Sequence, residues 1–144
     1  MDRSLPAEPP FHATCVCVAD NGLLIIGPSG SGKSSLALEM MAFGAVLVAD
    51  DRCVLTVHDD ALYASSPETI AGRIEARGIG ILNAIHSPQT WICAALDLGI
   101  CETERLPVPR TRRIMGIDLP YYHKPDTIHL AAAMMQLLKA GRYA

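Results

Sequence analysis

The 144-residue chain has the length of one compact domain, and with half its residues hydrophobic and 19% charged it can fill a core without disulfides. A formal net charge of −3 excludes a protein-wide basic field for nucleic acid, and no apolar run reaches the roughly 18 residues of a membrane helix. Five cysteines, none in a Cys-x-x-Cys pair, suit a reducing cytoplasm as small buried thiols.

Residues 1–10 contain Pro6, Pro9 and Pro10 and no apolar stretch. They read as a flexible lead-in and not as a signal peptide. Residues 11–144 read as a single domain. Phe11 to Ala19 has the residues of a strand, with Cys15 and Cys17 on one face. Asp20-Asn21-Gly22 predicts a turn. Leu23 to Ile26 is a short buried strand that ends in a glycine-rich loop. Ser34 to Phe43 reads as a helix, stopped at Gly44. Ala45 to Ala49 is a second buried strand, running into Asp50-Asp51. Arg52 to Ala64 reads as a hairpin turning at Asp59-Asp60, and Pro67 to Ile70 as a link. Ile74 to Leu82 carries Arg-Gly-Ile-Gly, and Trp91 to Leu98 is a further strand. Glu104 to Met115 reads as a loop rich in arginine: Arg105, Arg110, Arg112 and Arg113. Ile128 to Ala140 closes the chain as a helix. The order implies an α/β fold, a mixed β-sheet with flanking helices around a P-loop.

The loop is Gly27-Pro28-Ser29-Gly30-Ser31-Gly32-Lys33-Ser34, which has the Walker A spacing. Glycines let backbone N–H groups curl toward phosphate oxygens, and the following helix points its positive end at the same anion. Lys33 should reach the β- and γ-phosphates of ATP, and the Ser34 hydroxyl should meet Mg²⁺. Asp50 and Asp51 follow the strand after the P-loop helix, at a carboxyl end of the kind where ligands of open α/β sheets gather. Neighbouring strand residues face opposite ways. One carboxylate can therefore meet the metal shell while the other accepts a proton from an acceptor hydroxyl.

Four stretches together resemble the catalytic domain of HPr kinase/phosphorylase, in a short form. They are His12 before the first strand, the glycine-rich loop, Leu-Val-Ala-Asp-Asp at 47–51, and Ile-Glu-Ala-Arg-Gly-Ile-Gly-Ile at 74–81. Glu104-Arg105-Leu106 is a weaker match to a downstream family motif. The resemblance implies a cytoplasmic, Mg²⁺- and ATP-dependent serine kinase acting on the phosphocarrier protein HPr. It also implies a reverse reaction with inorganic phosphate, which yields pyrophosphate.

By the same resemblance, Asp51 is the proton acceptor and Asp50 assists with metal or substrate. Glu75 is a second Mg²⁺ contact with Arg77 beside it. His12 is an active-site histidine, and Arg105 steadies the transferring phosphoryl group. The family is hexameric, and many members carry an additional N-terminal domain. Its later Pro-Val-x-x-Gly-Arg-Asn segment has no counterpart here, where Pro120 to Pro125 stands near its place. Two other readings share the loop. One is a small-molecule P-loop kinase with the Arg110–Arg113 cluster as a lid. The other is a nucleotide-binding regulator with little catalysis.

Overall fold

The computed structural model describes residues 10–144, so the expected lead-in falls outside the described residues except for Pro10. The first two strands, β1 (Ala13–Val18) and β2 (Asn21–Ile26), form an antiparallel hairpin. Its turn is Ala19-Asp20, with φ of 49° and 69°. Two consecutive left-handed residues match the right-handed twist of the flanking strands.

Of the expected Asp20-Asn21-Gly22 turn only Asp20 lies in it, one residue earlier than expected, and Asn21 and Gly22 have other work. Gly22 lies against the strand that contains Trp91, where a Cβ would stand 2.5 Å from the Trp91 carbonyl oxygen. The Asn21 side chain donates to the Leu138 carbonyl at 2.7 Å and ties the last helix to the sheet.

After β2 come the glycine-rich loop, α1 (Lys33–Ala42) and β3 (Val46–Ala49). The helix and β3 fall within a residue or so of their sequence-based bounds. The hairpin β4 (Val54–His58) and β5 (Ala61–Ser65) turns at Asp59-Asp60, as expected. A separate two-stranded sheet, β6 (Arg73–Ala76) with β7 (Gly80–Asn83), carries the Arg-Gly-Ile-Gly stretch. Then follow β8 (Thr90–Glu102), β9 (Arg110–Ile114), β10 (Ile117–Pro125) and α2 (Leu130–Ala140).

The region after residue 98 departs most from expectation. β8 runs four residues further, and Arg110–Ile114 is a strand where a loop was expected. Its arginines have an edge-strand logic, since β9 is the last strand of the sheet and charge there opposes pairing with other chains. Pro120 and Pro125 concealed β10, because proline cannot donate to a ladder. Pro120 sits opposite Thr111 within the β9–β10 pairing.

The main sheet runs β3-β1-β2-β8-β10-β9, with β5 paired to the start of β8 and carrying β4. β1 is antiparallel to both β2 and β3, so those two run the same way, and β2, β8 and β10 are parallel neighbours. The carboxyl ends of β2, β3 and β8 thus share one edge with the amino end of β1.

Alternation sorts the side chains onto two faces. Val16, Val18, Leu23 and Ile25 pack beneath α1 and α2, whose Leu36, Met40, Leu130, Met134 and Leu138 complete the core. Cys15, Cys17, Leu24 and Ile26 face the other way, against Cys53, Leu62 and Ile92. Burial pushes the Cys15 thiol up, with Cys53 beside it adding to the effect. Both cysteines of β1 share one face, as their spacing implied.

Met40 is fully buried between α1 and the sheet. Met40→Ala is expected to lower unfolding free energy by about 2–5 kcal/mol in urea titrations.

Candidate functional site

The shared sheet edge brings three segments together: the end of β2, the end of β3 and the start of β1. From β2 the chain enters the glycine-rich loop. A Cβ on Gly27 would stand 2.7 Å from Ser31 Oγ and 3.3 Å from the Gly99 amide, so the loop closes against β8 only with glycine here. The loop leads into α1 through Gly32, and no side chain caps that helix start. Its first amides are therefore available to an anion. Added Cβ atoms on Gly30 or Gly32 would meet nothing within 4 Å, so the mouth of the loop is open.

Lys33 is the telling residue. It is 6% exposed, and its ammonium donates to the Gly27 and Pro28 carbonyls at 2.9 and 3.2 Å. Among the described residues no carboxylate lies within ion-pairing distance of it. A buried charge held only by neutral carbonyls calls for a counter-ion. Ser31 Oγ is also buried without a partner among the described residues. Both observations fit a loop that receives an oxyanion.

The two aspartates divide as the strand geometry implied. Asp50 turns inward and accepts three hydrogen bonds. Its Oδ1 accepts from Ser34 Oγ at 2.5 Å and from Thr14 Oγ1 at 3.1 Å, and its Oδ2 accepts from the Glu75 amide at 3.0 Å. One carboxylate thereby joins α1, β1, β3 and β6. Asp51 turns outward and is exposed, with its Oδ1 2.8 Å from His12 Nε2. Its backbone is left-handed, with φ of 68°, and its amide donates to Thr14 Oγ1 at 3.1 Å. A non-glycine residue held in that region at a site is a strained and therefore specified position.

A cavity of about 390 Å³ is lined by Ser29, Gly30 and Gly32 of the loop, by Lys33, Ser34 and Ser35, and by Asp50, Asp51, Glu75 and Arg77. Glu75 and Arg77 make no ion pair with each other, and both stand exposed on the β6–β7 hairpin. No cluster of three His, Cys, Asp or Glu residues among the described residues could alone enclose a metal. A Mg²⁺ ion binds one or two protein groups and keeps waters and phosphate oxygens as its other ligands. Ser34, Asp50 and Glu75 supply hard oxygens around this cavity.

A second cavity of about 450 Å³ lies on the other side of Gly27 and Pro28, lined by His12, Asp97 and Arg112 among others. Asp97 is nearly buried and accepts from Tyr121 Oη at 2.6 Å and from the Gly99 amide at 2.8 Å. Burial and the bond to Asp97 hold the Tyr121 phenol protonated above its ordinary range. Arg112 stands 3.7 Å from Asp97 and over the Tyr121 ring. His12 and Asp51 bridge the two cavities.

Of the residues singled out in the sequence, His12, Gly27–Ser34, Asp50, Asp51, Glu75 and Arg77 come together. Arg105 does not join them: it is exposed in the stretch between β8 and β9 and lines neither cavity. That stretch is anchored by Glu102, which pairs with Arg110 at 2.5 Å and accepts from the Thr103 and Glu104 amides. Sequence reasoning missed Thr14 and Asp97, and met Arg112 only as one member of the arginine cluster. A polar residue inside each apolar strand, at 14 and 97, was the available signal.

A mixed α/β protein with an anion-receptive glycine-rich loop beside paired carboxylates is thus defined by geometry alone. Comparison with known proteins narrows the class. The HPr Serine kinase C-terminal domain matches residues 3–87. HPr kinase/phosphorylase of Thermoanaerobacter sp. (strain X514) is 44% identical over 84 residues, covering 58% of this chain and 28% of that protein. The enzyme of the same name from Geobacillus thermodenitrificans (strain NG80-2) is 35% identical over 133 residues, covering 83% of this chain and 43% of that one. The chain therefore spans less than half the length of these relatives. The structure of the Hpr(Ser) kinase/phosphatase from Coxiella burnetii superposes with a TM-score of 0.77 at 27% identity, covering 92% of this chain and 95% of that chain. This chain belongs to the HPr Serine kinase C-terminal domain family.

Two outcomes are expected. Pyrophosphate at 100 times its Kd should stabilise the protein by about 2.7 kcal/mol in thermal unfolding. Lys33→Met should abolish that gain while leaving the ligand-free protein at least as stable. Glu102 titrates at about 2 in the fold instead of its ordinary 4.5, chiefly because Arg110 donates to it. Its ion pair thus contributes fully above the ordinary carboxylate range and is lost as pH falls through about 2. Arg110→Gln should move the Glu102 titration upward toward 4.5, read by carboxyl carbon NMR.

Proposed function

We propose that the protein is a cytoplasmic, ATP- and Mg²⁺-dependent kinase that phosphorylates a serine of HPr, on a P-loop kinase domain spanning residues 11–144. The observation that carries the reading is Asp51, whose carboxylate is exposed between the anion-receptive loop and His12. Family membership supports the phosphoacceptor, and the similar enzymes named HPr kinase/phosphorylase support the pairing of forward and reverse reactions.

In this reading the glycine-rich loop and Lys33 hold the triphosphate by backbone amides and one ammonium. Ser34, Asp50 and Glu75 would hold Mg²⁺, which would supply positive charge to the phosphate oxygens. Asp51 accepts the serine hydroxyl proton as the serine oxygen bonds to the γ-phosphorus and the bond to the β,γ-bridging oxygen breaks. ADP leaves. His12 bonds to the Asp51 carboxylate and fixes its direction. Arg77 stands on the hairpin beside the cavity. Arg105 would reach the transferring group only by movement of its exposed loop, whereas Arg112 already stands near His12. In reverse, inorganic phosphate takes the place of ADP as attacking group and pyrophosphate is released, with Asp51 returning the proton to serine. A hexamer is the assembly the resemblance implies.

A small-molecule acceptor is the second reading, favoured by the cavity of about 450 Å³ beside His12, a size that suits a small ligand. Incubation with HPr, labelled ATP and Mg²⁺ separates the two. The first reading expects label on an HPr serine, and a loss of about 10²–10⁴-fold in Asp51→Asn with ATP binding retained. ATP bound without label on HPr, with turnover stimulated by a metabolite instead, would establish the second.

A further inference from the structure

Among the described residues, Thr14 is the one side chain that hydrogen-bonds to both aspartates. It lies on β1 with Val16 and Val18, on the face that packs under α1, and it is completely buried. Its hydroxyl has one proton to donate and lone pairs to accept with. The proton goes to Asp50 Oδ1 at 3.1 Å, and the oxygen accepts the Asp51 amide at 3.1 Å. Valine has nearly the same shape and could do neither.

The two bonds act on different problems. Asp50 already accepts from Ser34 on the same oxygen, and from the Glu75 amide on the other. The Thr14 bond fixes that carboxylate toward β1 as well. Asp51 has a left-handed backbone, which costs energy for a residue with a Cβ, and no turn ladder holds its amide. The Thr14 oxygen is the partner that its amide has. Were this bond absent, the amide could swing and carry the exposed carboxylate with it, away from His12. Thr14 thus locks the inward and outward carboxylates into one fixed arrangement.

We infer that Thr14 is a positioning residue for phosphoryl transfer, acting through the Asp50 carboxylate and the Asp51 backbone. The inference rests on the proposed role of Asp51 and adds to it the group that sets its direction. Thr14 lines neither cavity and reaches the site only through Asp50 and Asp51, so its loss is expected to show first in the turnover rate.

The test compares Thr14→Val with Thr14→Ser, which keeps the hydroxyl. Transfer is measured per folded molecule, counted by nucleotide binding. Val is expected to lower kcat by about 10–100-fold with the KM for ATP little changed, and Ser to restore most of the rate. Amide hydrogen exchange gives a second reading that does not depend on activity: the Asp51 amide should be protected in wild type and Ser, and exposed in Val. Should Val fail to fold, wild type against Ser still decides, since an unprotected Asp51 amide or a rate as low as that of Asp51→Asn in the Ser variant contradicts the inference. A Val variant that transfers like wild type overturns this inference alone. A wild-type protein that transfers nothing to HPr overturns the proposed function, while exchange still reports whether Thr14 holds Asp51.

Discussion

A buried ammonium without a counter-charge governs this molecule. Lys33 is enclosed at the start of α1, and its only partners among the described residues are two carbonyls of its own loop. Neutral acceptors lessen the cost of burying it and do not cancel its charge. The uncapped helix start and the orphaned Ser31 hydroxyl lean the same way, each a donor with nothing to meet. These free donors support the proposal that the loop receives an oxyanion, and β2, α1 and β8 pack around it.

Strand direction does the rest. Because β1 runs against both β2 and β3, its first residues return to the edge where the loop and the aspartates emerge. His12 and Thr14 arrive beside Asp51 and Asp50 without any long insertion. Asp50 then serves as the junction, tying three elements to the end of β3 through three donors, and leaves Asp51 as the exposed carboxylate. The same edge carries Asp97 and Arg112 into the second cavity, so the loop is approached from two sides.

The first half of the chain was far more legible than the second. Leu23–Ile26, the loop and the following helix obey local rules: an apolar run, glycine spacing, then helical residues. Asp50-Asp51 was readable because it ends an apolar strand. The later strands were hidden by non-local causes. β9 is full of arginine because it is an edge, and β10 contains prolines because its partners tolerate them. Asn21-Gly22 looked like a turn, yet Gly22 is small to let β8 approach and Asn21 holds α2. Arg105 rested on a short tripeptide, and such a match carries no information about which way an exposed loop points. Thr14 was invisible because its importance comes from two residues about 36 positions away, a contact that only pairing of β1 with β3 creates.

The central claim is that Lys33 is held for a triphosphate while Asp50 keeps the site in register. A crystal structure with Mg²⁺ and a non-hydrolysable ATP analogue tests it most directly. The account predicts that the Lys33 ammonium leaves the Gly27 and Pro28 carbonyls for phosphate oxygens, with Asp51 still beside His12 and Thr14 still bonded to the Asp51 amide. A nucleotide bound elsewhere, with Lys33 remaining on its loop carbonyls, would contradict it.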